Sequence, residues 1–166
     1  MEHYQSACYG LAFRLIGDPD RAADATQDAF VHAYTAMRSY RGGVFRSWLL
    51  RITANASYDI LRRQQRRPAG PLPDPEEGAA ELPDAGAVNP YAEAARGELY
   101  RHLERALHLL PADQRTAVVL CDVYGMDYNE VAAMTESALG TVKSRIHRGR
   151  LRLRELLADQ RELFTA

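Results

Sequence analysis

Apolar residues recur at spacings of three and four along two stretches of the chain, and a stretch without that period parts them. No run of alternating β-branched residues is bounded by hairpin turns, so no strand is expected. The pattern predicts an all-α protein: two small helical domains over residues 1–67 and 91–166, joined by a flexible linker over 68–90. In the first, a helix from about Tyr4 to Ile16 is stopped by Gly17-Asp18-Pro19. A second runs from Pro19 to Ser39, with Asp18 as its cap and Pro19 at a first helical position, where a missing N–H costs nothing. After the loop Tyr40-Arg41-Gly42-Gly43-Val44, a third runs from Phe45 to Arg67, with a packing stripe of Phe45, Trp48, Leu49, Ile52 and Ala56.

The second domain reads as four helices. One spans about Tyr91 to Leu109; Pro111 opens the next, which ends at Gly125, a residue suited to a C-cap. A short helix from Tyr128 to Met134 follows, and the last runs from about Leu139 to Leu157. Its stripe is Leu139, Val142, Ile146, Leu153, Leu156 and Leu157, with Gly149 permitting close approach of a neighbour. The two final helices form a helical hairpin, and the halves show no internal repeat.

Breakers define the linker: Pro68, Gly70, Pro71, Pro73, Pro75, Gly78, Pro83, Gly86 and Pro90 crowd it. Between Pro68 and Pro90 it carries Asp74, Glu76, Glu77, Glu81 and Asp84 and no Lys or Arg, so it should be solvated and extended. At ~3.3 Å per residue its reach is at most on the order of 75 Å, enough to span two sites on one duplex.

Totals add little, and distribution adds more. With 166 residues and 46% apolar content the chain can build compact cores, while its net charge of −1 does not announce a polyanion-binding protein. Cys8 and Cys121 are far apart and lack ligand-spaced histidines, which points to ordinary buried thiols and neither a disulfide nor a zinc site. No basic segment followed by an apolar core opens the chain, and no window approaches the ~18 apolar residues of a membrane span; a cytoplasmic protein without membrane insertion is expected.

The positive charge is concentrated in two places. From Ser137 to Arg154 lie Lys143, Arg145, Arg148, Arg150, Arg152 and Arg154 with no acid among them. At ~100° per residue the apolar stripe centres near Val142 and Ile146, which leaves Ser144, His147 and Arg148 opposite and Thr141, Lys143 and Arg145 on the flanks. A basic, hydroxyl-bearing helix face preceded by a short helix and a tight turn suits a helix-turn-helix over Asp127 to Leu157, whose last helix enters the major groove. By charge alone the same face could be solvated, with Arg stems lying over apolar surface, or could bind RNA, acidic protein or lipid headgroups. The second concentration is Arg46, Arg51, Arg62, Arg63, Arg66 and Arg67 against Asp59, with Tyr40, Phe45, Trp48 and Tyr58 nearby. Aromatics among cations can hold unstacked bases of single-stranded nucleic acid; cations at a helix end also simply suit its dipole.

The motifs resemble those of extracytoplasmic-function sigma factors of the sigma-70 family. L-A-F-R-L-I-G-D from Leu11, A-D-A-T-Q-D-A-F from Ala23 and F-R-S-W-L-L-R-I-T-A-N from Phe45 resemble the family's region 2. L-P-A-D-Q-R from Leu110, Y-N-E-V-A from Tyr128 and L-G-T-V-K-S-R-I-H-R-G-R from Leu139 resemble its region 4. The resemblance implies an RNA polymerase sigma factor without catalysis of its own, directing promoter recognition, DNA melting and initiation. Thr141, Lys143, Ser144, His147, Arg148 and Arg150 match positions that meet the minus-35 element. Asn55 and the loop Arg41 to Phe45 match the part that captures an unstacked minus-10 base, and Arg62 and Arg63 of the arginine run join this set. Asp24, Gln27, Asp28 and Phe30 lie where region 2 docks on the polymerase clamp. The acidic linker resembles the segment that threads the RNA exit path. Implied partners are core RNA polymerase, through clamp and flap, promoter DNA and an anti-sigma factor, with no cofactor and no metal. One departure concerns the turn before the last helix: where the family usually has Gly or Asn followed by Ile or Val, this chain has Glu136 and Ser137, so a less apolar and strained turn is expected.

Two other classes compete with that reading. An ordinary helix-turn-helix regulator would carry a ligand or dimerisation domain in place of W-L-L-R-I-T-A-N and an arginine run. An enzyme acting on nucleic acid would need a site, and no P-loop, metal-spaced His or Cys, or nucleophile elbow is present.

Overall fold

The computed structural model of the protein describes residues 2–66 and 90–158. In chain order the helices are α1 (Glu2–Ile16), α2 (Pro19–Ala36), α3 (Phe45–Arg66), α4 (Pro90–His108), α5 (Ala112–Val118), α6 (Tyr128–Met134) and α7 (Leu139–Leu156), and no strand occurs among the described residues. The chain divides into two units, Met1–Leu82 and Pro83–Ala166. Apart from Pro90, which opens α4, the predicted acidic tether lies outside the described residues, as does Arg67.

In the first unit α1, α2 and α3 pack against one another. Asp18 caps α2 by accepting a hydrogen bond from the Arg21 N–H at 3.0 Å, which satisfies a donor that the first turn leaves without a partner. The inward face of α2 is almost all small: Ala22, Ala25, Thr26, Ala29 and Ala33 are buried, and they let large residues of α1, Leu11 and Leu15 above all, fill the space. Fully burying a leucine of this kind contributes roughly 1.5–3 kcal/mol. Beyond Ala36 the helix tightens into a 3₁₀ turn, Met37–Ser39, closed by the Ser39 hydroxyl donating to the Ala36 carbonyl at 2.7 Å.

The packing stripe of α3 differs from the expectation. Leu49, Leu50, Thr53, Ala54, Ala56, Ser57 and Leu61 are buried, whereas Phe45, Trp48 and Ile52 are only half-buried. The misreading has a physical cause. Thr53 and Ser57 look polar but donate their hydroxyl protons to the carbonyls of Leu49 and Thr53, at 3.0 and 2.8 Å, so they enter the core with those donors satisfied. The stripe is thereby turned by about one residue, and Trp48 moves to its edge.

In the second unit α5 does not continue as a regular helix to Gly125. From Val119 to Val123 it widens into a π-helical turn, with Tyr124 N–H donating to the Val119 carbonyl at 3.2 Å, and Met126 N–H closes on Leu120 at 2.9 Å. Gly125, at φ +69°, takes the left-handed conformation that ends it. Leu107, Leu110, Val118, Val119, Leu120, Val131, Val142 and Ile146 form the core. Leu139, expected on the apolar stripe of α7, is exposed, and Leu153, Leu156 and Leu157 are half-buried. Gly149 is buried against α5: a Cβ there would lie 2.6 Å from Val118 Cγ2. Buried Arg115 donates from Nη1 to the His108 carbonyl at 3.2 Å, and burial lowers its pKa to about 10, so it stays charged at neutral pH.

Both cysteines are free thiols, Cys8 buried and Cys121 half-buried, rather than both buried as the sequence led us to expect. Burial pushes both thiols up, Cys121 to about 11 with Asp122 adding to the effect. Among the described residues no helix is long and apolar enough to cross a membrane, and no three His, Cys, Asp or Glu side chains are grouped to hold a metal ion.

Candidate nucleic-acid interface

The helical hairpin of the second unit is built locally. Asp127 caps α6 by accepting from the N–H groups of Asn129 and Glu130 at 2.8 and 2.9 Å, while the Glu130 carboxylate accepts from the Asp127 N–H at 3.0 Å. This reciprocal capping box sets where α6 starts. At the other end Thr135 donates its hydroxyl proton to the Val131 carbonyl at 2.7 Å, and Ser137 N–H donates to the Ala132 carbonyl at 3.0 Å. Between them Glu136 sits at φ +49°, the only non-glycine among the described residues with positive φ. The strain expected at Glu136-Ser137 is therefore present in the backbone.

On α7 the minus-35 candidates Thr141, Lys143, Ser144, His147, Arg148 and Arg150 are all exposed; Ser144, His147 and Arg148 lie away from Val142 and Ile146, and Lys143 and Arg150 flank that buried pair. They fall into two rows. Thr141, Ser144 and Arg148 follow a three-and-four spacing, and Lys143, His147 and Arg150 line the neighbouring edge. Within the first row the side chains touch: the Ser144 hydroxyl donates to the Thr141 carbonyl at 2.9 Å, and the Arg148 guanidinium folds back on the Ser144 carbonyl and hydroxyl, each at 3.3 Å.

Arg150 is differently placed. Its Nε and Nη2 donate to the two carboxylate oxygens of Asp122 at 2.9 and 2.5 Å, and this contact holds its pKa above the ordinary arginine value. Lys143, Arg150, Asp122, Tyr128 and Asn129 line an open cavity of about 500 Å³ between α7 and the start of α6. Arg145, expected on the flank of the basic face, turns inward instead and is half-buried, bonded to Asp113 and Ser137.

In the first unit the minus-10 candidates do not form one cluster. Arg41 is exposed in the loop before α3, whose Gly42 and Gly43 have φ of +93° and +103°. Tyr40 closes that loop by donating its hydroxyl proton to the Gly43 carbonyl at 2.7 Å. Phe45 is half-buried and belongs to an aromatic group: its ring centroid is 5.4 Å from Tyr4, 5.9 Å from Tyr40 and 5.5 Å from Trp48, and Tyr40 lies 5.0 Å from Trp48. Asn55 is exposed about 15 Å further along the helix and lines up with Trp48 and Arg62, each seven residues away. Arg63 points about 100° to one side of Arg62. Trp48, read from the sequence as packing, is half-buried and thus lies at the partly exposed end of the stripe that carries Asn55.

The polymerase-docking candidates Asp24, Gln27 and Asp28 are exposed on α2, and Phe30 is half-buried. Gln27 and Phe30 line a cleft of about 680 Å³ with Gln5, Ser6 and Tyr9 of α1. Sequence reading missed Val31 and Tyr34, which continue this face and are 55% and 83% exposed. Large apolar side chains left bare beside an acidic row are an interaction signal that only solvent exposure reveals.

The profile of the family described as Sigma-70 region 2 matches residues 1–67, and that of Sigma-70, region 4 matches residues 100–153. The chain is 42% identical over 151 residues to the ECF RNA polymerase sigma factor SigE of Mycolicibacterium smegmatis, a match that covers 90% of this chain and 57% of that relative. It is 34% identical over 157 residues to the RNA polymerase sigma-H factor of Pseudomonas aeruginosa, covering 89% of this chain and 78% of that protein. Among solved structures, the sigma factor RpoE from Bartonella quintana, in complex with the anti-sigma factor NepR, superposes with a TM-score of 0.61 at 28% identity, covering 93% of this chain and 92% of the other.

Proposed function

The chain belongs to the extracytoplasmic-function group of the sigma-70 family, and from that premise we propose how its two parts divide the work of starting transcription. It binds core RNA polymerase and directs promoter recognition, DNA melting and initiation. Residues 1–67 engage the polymerase clamp through Asp24, Gln27, Asp28 and Phe30, with Val31 and Tyr34 extending that face. The same part receives the minus-10 strand along α3, where Phe45 and Trp48 offer π-faces, Asn55 offers an amide, and Arg41, Arg62 and Arg63 meet phosphates. Residues 91–166 read the minus-35 duplex with Thr141, Lys143, Ser144, His147 and Arg148 of α7, and Arg150, the sixth candidate, is held back from it by Asp122. The segment 68–90 is the acidic connector. The protein acts in the cytoplasm, supplies binding energy without catalysis, and is held in check by an anti-sigma factor, as the RpoE relative is paired with NepR.

One observation carries this reading: a single chain matches both sigma-70 regions in order, and each match contains a helix rich in basic residues. Purified protein added to core polymerase should start transcription from a discrete set of promoters, mapped by sequencing transcript starts. If no promoter becomes active across a genomic library, the reading fails.

A further inference from the structure

Arg145 lies in the most basic segment of the chain, beside Ser144 and three residues before Arg148. Its guanidinium nevertheless points away from the DNA-facing rows. Nε donates to Asp113 Oδ2 at 2.9 Å, in the first turn of α5, and Nη1 donates to the Ser137 hydroxyl at 2.8 Å, in the turn that precedes α7. Asp113 is itself oriented, since its Oδ1 accepts from the Gln114 N–H at 2.9 Å. The Ser137 hydroxyl in turn donates a hydrogen bond to the Thr135 carbonyl at 3.1 Å, next to strained Glu136. Arg145 is thus the middle of a polar strut that joins three elements: the start of α5, the turn, and α7.

A forked, planar cation suits this task, because its donors reach two acceptors at fixed angles from one side chain. The strut also replaces something. A turn closed by an apolar residue would be anchored by burial; here Ser137 cannot anchor it that way, and the hydroxyl is held by Arg145 instead. We propose that Arg145 is a positioning residue for promoter reading: it makes no DNA contact, and with Asp113 and Ser137 it fixes the angle at which α7 presents Ser144, His147 and Arg148 to the duplex. This rests on the assignment of α7 to promoter reading given above.

The test uses the full chain assembled with core polymerase, and measures affinity for a mapped promoter and for a non-promoter duplex across a salt series. Each phosphate contact contributes about 0.9 to the slope of log affinity against log salt. For Arg145→Ala the strut role predicts a promoter affinity reduced roughly tenfold or more, a fallen promoter-to-non-promoter ratio, and an unchanged salt slope. Arg145→Lys keeps the charge without the fork and should not restore the ratio. Asp113→Asn removes an acid, which by charge alone would strengthen DNA binding, yet should lower the ratio in the same way. The double variant of Arg145 and Asp113 should be no worse than Arg145→Ala.

A slope that drops by about one, with rescue by lysine, would make Arg145 a phosphate contact and overturn the proposal. So would an Asp113→Asn variant that binds the promoter more tightly. A slope that falls by several, which marks loss of the whole α7 surface by misfolding in Arg145→Ala, leaves the decision to Asp113→Asn. Wild-type protein that shows no promoter preference at all would instead refute the assignment of α7 itself.

Discussion

Arg150 of α7 grips Asp122 in the widened turn after α5 with two parallel hydrogen bonds, of 2.9 and 2.5 Å. The side chains are partly exposed, 53% and 33%, so water screens the pair and its removal should cost no more than about 1 kcal/mol of stability. Its larger consequence is electrostatic. A guanidinium committed to a carboxylate is not available to neutralise a phosphate, so on the proposed role of α7 Asp122 is expected to restrain its DNA affinity. Asp122→Ala should raise affinity for promoter and non-promoter DNA alike and steepen the salt slope by about 0.9, as one more phosphate contact would. Unchanged slopes in filter-binding or anisotropy titrations would mean that Arg150 does not reach DNA even when released.

Gly149 should not tolerate a methyl group. A Cβ would stand 2.6 Å from Val118 Cγ2 and 3.4 Å from the Gln114 carbonyl oxygen, and a buried β-branched side chain has little room to yield. Overpacking costs typically about 1–3 kcal/mol, against a gain of up to roughly 1 kcal/mol from helix propensity. Gly149→Ala should therefore destabilise the second unit by on the order of 1–2 kcal/mol, read as a lower urea midpoint for that unit. A raised midpoint would show that α5 and α7 separate more easily than the contact implies.

Glu136 holds a left-handed backbone conformation at φ +49° that costs a side-chain-bearing residue about 1–2 kcal/mol. Glycine adopts it freely but loses more entropy on folding. The two effects partly offset, and Glu136→Gly should stabilise the second unit by up to about 1 kcal/mol. Glu136→Val, β-branched, should do the opposite. Urea titration of both variants checks the pair of signs, and two losses would indicate that the Glu136 side chain matters more than its backbone.

Trp48 and Asn55 share one stripe of α3, and both should matter for strand separation rather than for polymerase binding. Stacking of one base on an aromatic face is worth about 1–3 kcal/mol. Trp48→Ala and Asn55→Ala should reduce open complexes, scored by permanganate reactivity of unpaired thymines, while core polymerase is still retained in pull-down. Trp48→Phe should recover most of the loss. Wild-type levels of opening in Asn55→Ala would remove the amide from its assigned role.

The helices themselves were legible from the chain. Asp18, Pro19 and Gly125 act within a turn or so of residues, so these starts and stops follow from local chemistry. On α7 the centre of the apolar stripe, Val142 and Ile146, was likewise readable, because a stripe at helical spacing keeps its face whatever it packs on. The errors were also local in origin: Thr53 and Ser57 satisfy their own donors and so hide in the core, which displaced Trp48 from its expected place.

Composition and periodicity alone determined an all-α chain with two basic helices and an acidic stretch between them. Only the tertiary structure decided which cations remain free. Arg145 and Arg150 find their carboxylates 32 and 28 residues away, and the strut to Ser137 depends on how the turn folds back. Charge along a sequence is fixed by residue type, but its availability depends on partners that only folding brings within hydrogen-bonding distance.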